Sequence, residues 1–189
     1  KIGCNINFIG KRKISIIGTN ELKETSHEII FDRIELGTYL IAAALIGKKI
    51  ILNRVKVKVI DTEIQILKKM GVKMKVEKNT ITVFETKKIN SINIKTEAYP
   101  GFPTDLQAQI MVLMSKATGV SKVKESIFEN RFMHVPELRR MGAKINTKKN
   151  VAIITGPVTL SGAEVMATDL RASVSLVLAG LAADKKTVI

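Results

Sequence analysis

An internal repeat constrains this chain of 189 residues more than any other feature. One block reads Leu67-Lys-Lys-Met-Gly71-Val-Lys-Met and continues to Thr80-Ile-Thr-Val83. A second reads Leu138-Arg-Arg-Met-Gly142-Ala-Lys-Ile and continues to Val151-Ala-Ile-Ile154. A fainter copy opens the chain as Lys1-Ile2-Gly3-Cys4, followed by Lys13-Ile-Ser-Ile-Ile17. The glycines at 3, 71 and 142 lie 68 and 71 residues apart. Each block predicts a helix, a glycine C-cap and a hairpin of short alternating strands.

A second element repeats in counter-phase. It begins at Asp32-Arg-Ile-Glu-Leu-Gly-Thr, at Asp105-Leu-Gln-Ala-Gln-Ile-Met and at Asp169-Leu-Arg-Ala-Ser-Val-Ser. Each aspartate leads into a helix that is apolar nearly all round, so each helix is expected to be buried on all sides. A strand-like run follows each one: Lys49-Ile-Ile-Leu, Val120-Ser-Lys-Val and Thr187-Val-Ile. One unit of about 70 residues is therefore an Asp-helix, a strand, an amphipathic helix ending in glycine, and a hairpin. The expected fold is α/β, with the apolar helices inside and sheets around them. Residues 1–30 hold only the tail of a unit, and the last unit stops at Val188-Ile189 inside an expected strand. The expectation is a piece of a longer chain, because such repeats bury their faces against neighbours.

Composition narrows the function classes. Hydrophobic residues make up 46%, enough to support a core rather than a disordered chain. Cys4 is the only cysteine, which excludes an internal disulfide framework. Its place in the repeat, equivalent to Val72 and Ala143, predicts a small core residue. The apolar stretches Leu36 to Ile46 and Ala172 to Ala183 are too short to span a bilayer. No charged and apolar leader opens the sequence, so the expected setting is a reducing cytoplasm. The net charge of +14 suits an anionic partner, nucleic acid or phosphorylated small molecules. The excess is +10 over residues 1–95 and +4 over 96–189, and lysine supplies 24 of the 31 cations. It is spread along the chain, as a solvated surface would be.

Few residues have the character of a reactive site. Only five aspartates occur, and three head the repeated helices. N-capping is the plain reading of all three. Asp32 with Glu35, and Thr104 with Gln107, have capping-box spacing. Asp105 and Asp169 have richer surroundings: a stiff Pro100-Gly-Phe-Pro-Thr104 lead-in, and Arg171 two residues after Asp169. Three helix N-termini drawn together by the repeat would favour an anion. Arg171 sits in a first helical turn, where the macrodipole disfavours a cation, so an anionic partner is expected, either Asp169 or a ligand. Arg131 lies in the polar run Phe128-Glu-Asn-Arg131-Phe-Met-His134 and is open to an internal salt bridge or a ligand. Gly47-Lys48-Lys49 is not a phosphate loop, since Ala42 stands where glycine is required. His27 and His134 are too few for a metal site.

Several motifs carry a resemblance. Phe102-Pro-Thr-Asp-Leu-Gln-Ala-Gln109, Phe128-Glu-Asn-Arg-Phe-Met-His-Val-Pro-Glu-Leu138, Arg140-Met-Gly-Ala143 and Met166-Ala-Thr-Asp-Leu-Arg-Ala172 resemble the UDP-N-acetylglucosamine 1-carboxyvinyltransferase family, as does Asp32-Arg-Ile-Glu35 with Gly37-Thr38. The sister family, 3-phosphoshikimate 1-carboxyvinyltransferase, shares the fold but does not resemble these motifs. The resemblance implies an inside-out α/β barrel of repeated units, incomplete at both ends. Residues 1–30 would end the domain that carries the catalytic loop. Residues 31–189 would form most of the second repeat domain, truncated in its last unit. It implies transfer of enolpyruvyl from phosphoenolpyruvate to the 3-hydroxyl of UDP-N-acetylglucosamine, releasing phosphate, the first committed step of peptidoglycan synthesis. By position, Asp105 resembles a general base at that hydroxyl, and Ile127 a backbone contact to the sugar nucleotide. Asp169 and Arg171 resemble residues at the reacting centre. Arg131 resembles a cation near the phosphoenolpyruvate-derived group. No cofactor or metal is implied. The implied partners are the two substrates and the remainder of the same chain, with neither nucleic acid nor membrane. The family's catalytic cysteine lies in a glycine-rich loop with no counterpart here, and Cys4 does not match it, so the 189 residues alone are expected to be inactive. A basic nucleic-acid-binding module and a non-catalytic interaction subunit are the alternatives from other classes.

Overall fold

The computed structural model describes residues 2–11 and 13–189, so Lys1 of the faint first repeat lies outside the described residues. The chain divides into two compact units, one ending at Ile30 and one running from Phe31 to Ile189. In the first unit, β1 (Asn5–Phe8) and β2 (Ile14–Ile17) form the expected antiparallel hairpin, with Ile6 opposite Ile16. None of its described residues is buried, and Cys4 is only half-buried, so it is not the core residue its repeat position suggested. A two-stranded hairpin has no inner layer in which to enclose it.

The second unit runs α1 (Arg33–Ile46), β3 (Lys49–Asn53), α2 (Asp61–Lys69), β4 (Met74–Val76), β5 (Thr80–Phe84), β6 (Asn93–Lys95), α3 (Gln107–Ser115), β7 (Gly119–Lys124), α4 (Val135–Arg140), β8 (Lys144–Lys148), β9 (Val151–Gly156) and α5 (Leu170–Leu181). The repeat is visible in space. Strands β3, β5 and β4 form one antiparallel sheet in that order. Strands β7, β9 and β8 repeat the arrangement, and β6 adds parallel to β7. In both, the strand after the Asp-helix pairs with the second strand of the hairpin.

The glycine caps form as the sequence predicts. Gly71 and Gly142 have φ of 85° and 95°, which a Cβ would strain. The Gly71 N–H donates to Lys68 O at 2.9 Å, and the Val72 N–H to Leu67 O at 3.0 Å. Gly142 and Ala143 make the same pair of bonds to Arg139 and Leu138. These two crossed bonds close each helix and turn the chain into its hairpin.

Helix α3 is the axis of the unit. All nine of its residues are buried, and it packs against both α1 and α5 and against β7 and β9. Ile110, Met111, Leu113 and Met114 meet Leu40, Ile81, Ile154 and Leu176 in one core. Each such side chain contributes about 1.5–3 kcal/mol by leaving water. Gly37 lets α1 approach closely, since a Cβ there would overlap Leu106 Cδ1.

Two expectations need correction. Only α3 is enclosed all round. Helix α1, packed on α3 and on β3 and β5, leaves Tyr39 and Ile46 exposed, and α5, packed on α1, α3 and α4, leaves Leu170, Val177 and Leu181 exposed, because these neighbours cover only part of each helix. The run Thr187–Ile189 is not a strand. It makes a single parallel bridge between Val188 and Glu164, with bonds from Val165 N–H to Val188 O and from Val188 N–H to Ala163 O.

Candidate functional site around Asp105

The lead-in to α3 positions the site. Residues Thr104–Leu106 make one 3-10 turn, so Asp105 stands within the turn and not at its cap. Its carboxylate is directed to two cations. Oδ2 lies 3.2 Å from Arg171 Nη2, and Oδ1 lies 3.6 Å from Arg131 Nη2. Three of the five expected site residues therefore meet, from three segments of the chain. The partner of Arg171 is thus Asp105, neither of the two expected for it. All three side chains are about one-third exposed. Such open pairs are worth about 0–1 kcal/mol each, so the arginines can exchange this carboxylate for another anion at little cost.

Asp169 does what its position predicts as a cap. Its Oδ1 accepts from the N–H groups of Arg171 at 2.8 Å and Ala172 at 2.9 Å. Asp32 caps α1 in the same way, accepting from Ile34 and Glu35. The Thr104–Gln107 capping box does not form. The Thr104 hydroxyl donates instead to Glu125 Oε2 at 2.9 Å.

Arg131 is held from a second side. Its guanidinium carbon lies 4.7 Å from the Phe128 ring centroid, within cation–π range. Phe128 and Arg131 line an open cavity of about 500 Å³ together with Ile127, Lys149 and Asn150. The Ile127 N–H donates to Glu125 Oε1 at 2.8 Å. Among the described residues no group of three side chains could hold a metal ion, and no helix is long and apolar enough to cross a membrane.

His134 is buried beside this loop, with Nε2 unpartnered. Burial lowers its pKa from 6.5 to about 4, while the nearby Asp169 carboxylate pulls the other way. A depressed histidine adds stability above its unfolded pKa and loses it as pH falls towards the folded value. The protein is thus expected to lose up to about 3 kcal/mol on acidification across this window. Urea unfolding midpoints across the range test this, and His134→Gln should flatten the slope.

Sequence reasoning missed Glu125, which is 2% exposed. The signal was available. Ser121, Val123 and Glu125 alternate with Lys122 and Lys124, so a carboxylate sits in phase with the inward face of β7. Arg33 was also missed. Its Nη2 lies 2.7 Å from Glu63 Oε1 and donates to Gly101 O at 2.9 Å, and its guanidinium stacks 4.9 Å from the Tyr99 ring centroid. The Thr62 hydroxyl donates to Pro100 O at 2.5 Å. These contacts fix the loop that delivers Asp105.

A family model described as EPSP synthase (3-phosphoshikimate 1-carboxyvinyltransferase) matches residues 1–189. The chain belongs to this family. Individual family members carry the name read from the motifs. A UDP-N-acetylglucosamine 1-carboxyvinyltransferase of Pelagibacter ubique (strain HTCC1062) is 57% identical over 188 residues, covering the whole chain and 45% of the relative. One from Actinobacillus succinogenes (strain ATCC 55618 / DSM 22257 / CCUG 43843 / 130Z) is 50% identical over 190 residues, with the same coverage. The chain thus spans about 45% of the length of these curated relatives. The solved enolpyruvyl transferase NikO from Streptomyces tendae superimposes with a TM-score of 0.89 at 27% identity, over 98% of this chain and 45% of that one. EPSP synthase from Acinetobacter baumannii shares the fold, with a TM-score of 0.73 at 19% identity over 97% of this chain and 46% of that one. The enolpyruvyl-transferase-like α/β fold, built here as part of a domain, agrees with the sequence reading.

Proposed function

We propose that the complete protein transfers enolpyruvyl from phosphoenolpyruvate to the 3-hydroxyl of UDP-N-acetylglucosamine, with release of phosphate. The observation that carries this reading is the Asp105 carboxylate set between Arg131 and Arg171 at the mouth of a buried helix. The names of the relatives choose the acceptor. In the addition step the hydroxyl oxygen bonds to C2 of phosphoenolpyruvate, its proton passes to Asp105, and the C2=C3 electron pair takes a proton at C3 from a general acid on the catalytic loop of the complete protein. In the elimination step C3 returns its proton to that group, the C2=C3 double bond re-forms, and the C2–O bond to phosphate breaks with its electrons leaving on phosphate. Arg131 and Arg171 stabilise the anionic groups as charge shifts to the leaving phosphate. Asp169 acts here through the start of α5, holding the Arg171 backbone so that its guanidinium reaches the site. Ile127 and the cavity beside it face the sugar nucleotide.

In the same reading, residues 1–30 end the domain that carries the catalytic loop, and residues 31–189 make most of the other. The reaction takes place in the cytoplasm and supplies peptidoglycan synthesis. The 189 residues alone are expected to release no phosphate. The test is phosphate release by the complete protein, which should require both substrates. Release with 3-phosphoshikimate as acceptor, and none with UDP-N-acetylglucosamine, overturns the reading in favour of the sister activity.

A further inference from the structure

We infer that Glu125 is a positioning residue that ties the general base to the loop facing the sugar nucleotide; this rests on the enolpyruvyl transfer proposed above. The residue lies just past β7 on its inward side and is 2% exposed. A buried carboxylate needs its lone pairs occupied. Here four donors occupy them. Oε1 accepts from the Thr96 hydroxyl at 2.7 Å, the Ile127 N–H at 2.8 Å and the Phe128 N–H at 3.2 Å. Oε2 accepts from the Thr104 hydroxyl at 2.9 Å.

The two oxygens serve two parts of the site. Oε2 holds the residue immediately before Asp105. Oε1 holds the first amides of the segment that goes on to Phe128 and Arg131. A second set of bonds keeps the carboxylate in register. The Ser126 N–H donates to Thr96 Oγ1 at 2.9 Å, the Ser126 hydroxyl donates to the Thr96 carbonyl, and Asn150 Nδ2 donates to Glu125 O at 2.8 Å. Asp105 and the Ile127–Arg131 loop are thus spaced by one side chain that touches neither substrate.

The chemistry sets different costs for different replacements. Glutamine keeps the Oε1 contacts through its amide oxygen, and its NH₂ group faces a Thr104 hydroxyl that can rotate to accept. Alanine releases both arms. Thr104→Val cuts only the arm to Asp105.

The three variants should be compared in the complete protein. Glu125→Ala is expected to lower kcat about 100-fold, the scale of an ångström-sized misplacement, and to raise KM for the sugar nucleotide. KM for phosphoenolpyruvate should rise as well, since Arg131 lies on the released segment. Thr104→Val should lower kcat about 10-fold and leave the sugar-nucleotide KM unchanged. Glu125→Gln should recover most of the loss. Amide hydrogen exchange at Ile127 and Phe128 in the substrate-free protein should quicken in Glu125→Ala and stay as in the parent in Thr104→Val. Parent-like kinetics in Glu125→Ala, or a Glu125→Gln as inactive as the alanine variant, overturns the inference. If the alanine variant does not fold, an unchanged kcat in Thr104→Val does so. An inactive parent protein sinks the proposed transfer instead, and the exchange rates still decide whether Glu125 joins the two segments.

Discussion

On the proposed function, Asp105→Asn in the complete protein should lower kcat by about 10²–10⁴-fold, the range expected when a general base is removed. Asparagine keeps the shape of the side chain but cannot take a proton from the attacking hydroxyl. Folding should be little affected, since Asp105 caps no helix and its ion pairs are open to solvent. The informative comparison is kcat against KM. Loss of the base falls on kcat, whereas loss of the counter-charge to Arg131 and Arg171 falls on phosphoenolpyruvate binding. Turnover close to the parent value reassigns Asp105 to holding the two arginines.

Arg33→Ala should cost about 3–5 kcal/mol of stability, the range for breaking a buried ion pair and stranding one partner. Glu63 is 2% exposed, and its pKa is already raised by burial, with Arg33 pulling it back. Removing Arg33 raises it further. A group raised in the folded state contributes stability below its unfolded value of 4.5 that is lost as pH rises through the folded value. The deficit of the variant relative to the parent should therefore be small at about pH 4 and full at about pH 7. Measuring both proteins at each pH cancels the His134 contribution. The double variant Arg33→Met with Glu63→Gln should recover much of the loss. A deficit that is the same at both pH values shows that Glu63 is not the stranded partner.

What the sequence made legible was local or periodic. Gly71 and Gly142 announce their turns because only a residue without Cβ sits easily at positive φ. Helices α1 and α5 were legible because an apolar run after a capping aspartate needs no knowledge of the rest of the chain, whereas the N-cap expected at Asp105 does not form. The partner of Arg171 was not, since Asp105 is 66 residues away and both neighbours and ligands were equally open to it. Reading Thr104 with Gln107 as a capping box failed for a related reason: a buried carboxylate from β7 outcompetes the local backbone for the hydroxyl. Charge was the poorest guide. The +14 describes lysines on the outside, whereas the site is made by two arginines and one aspartate.

Three of the long-range contacts at the heads of the helices span nearly the same separation. Arg33 reaches Gly101 across 68 residues, Gln109 reaches Thr38 across 71, and Arg171 reaches Asp105 across 66. Each spans about one repeat. The hairpins β4–β5 and β8–β9 close between near neighbours and can form early on the folding path, whereas these contacts must wait for loop closure over tens of residues. On a ribosome, Asp105 emerges long before the arginine of α5 that completes its surroundings. The cluster of Asp105 with Arg131 and Arg171 therefore forms late among these contacts, and its assembly reports that successive repeats have docked.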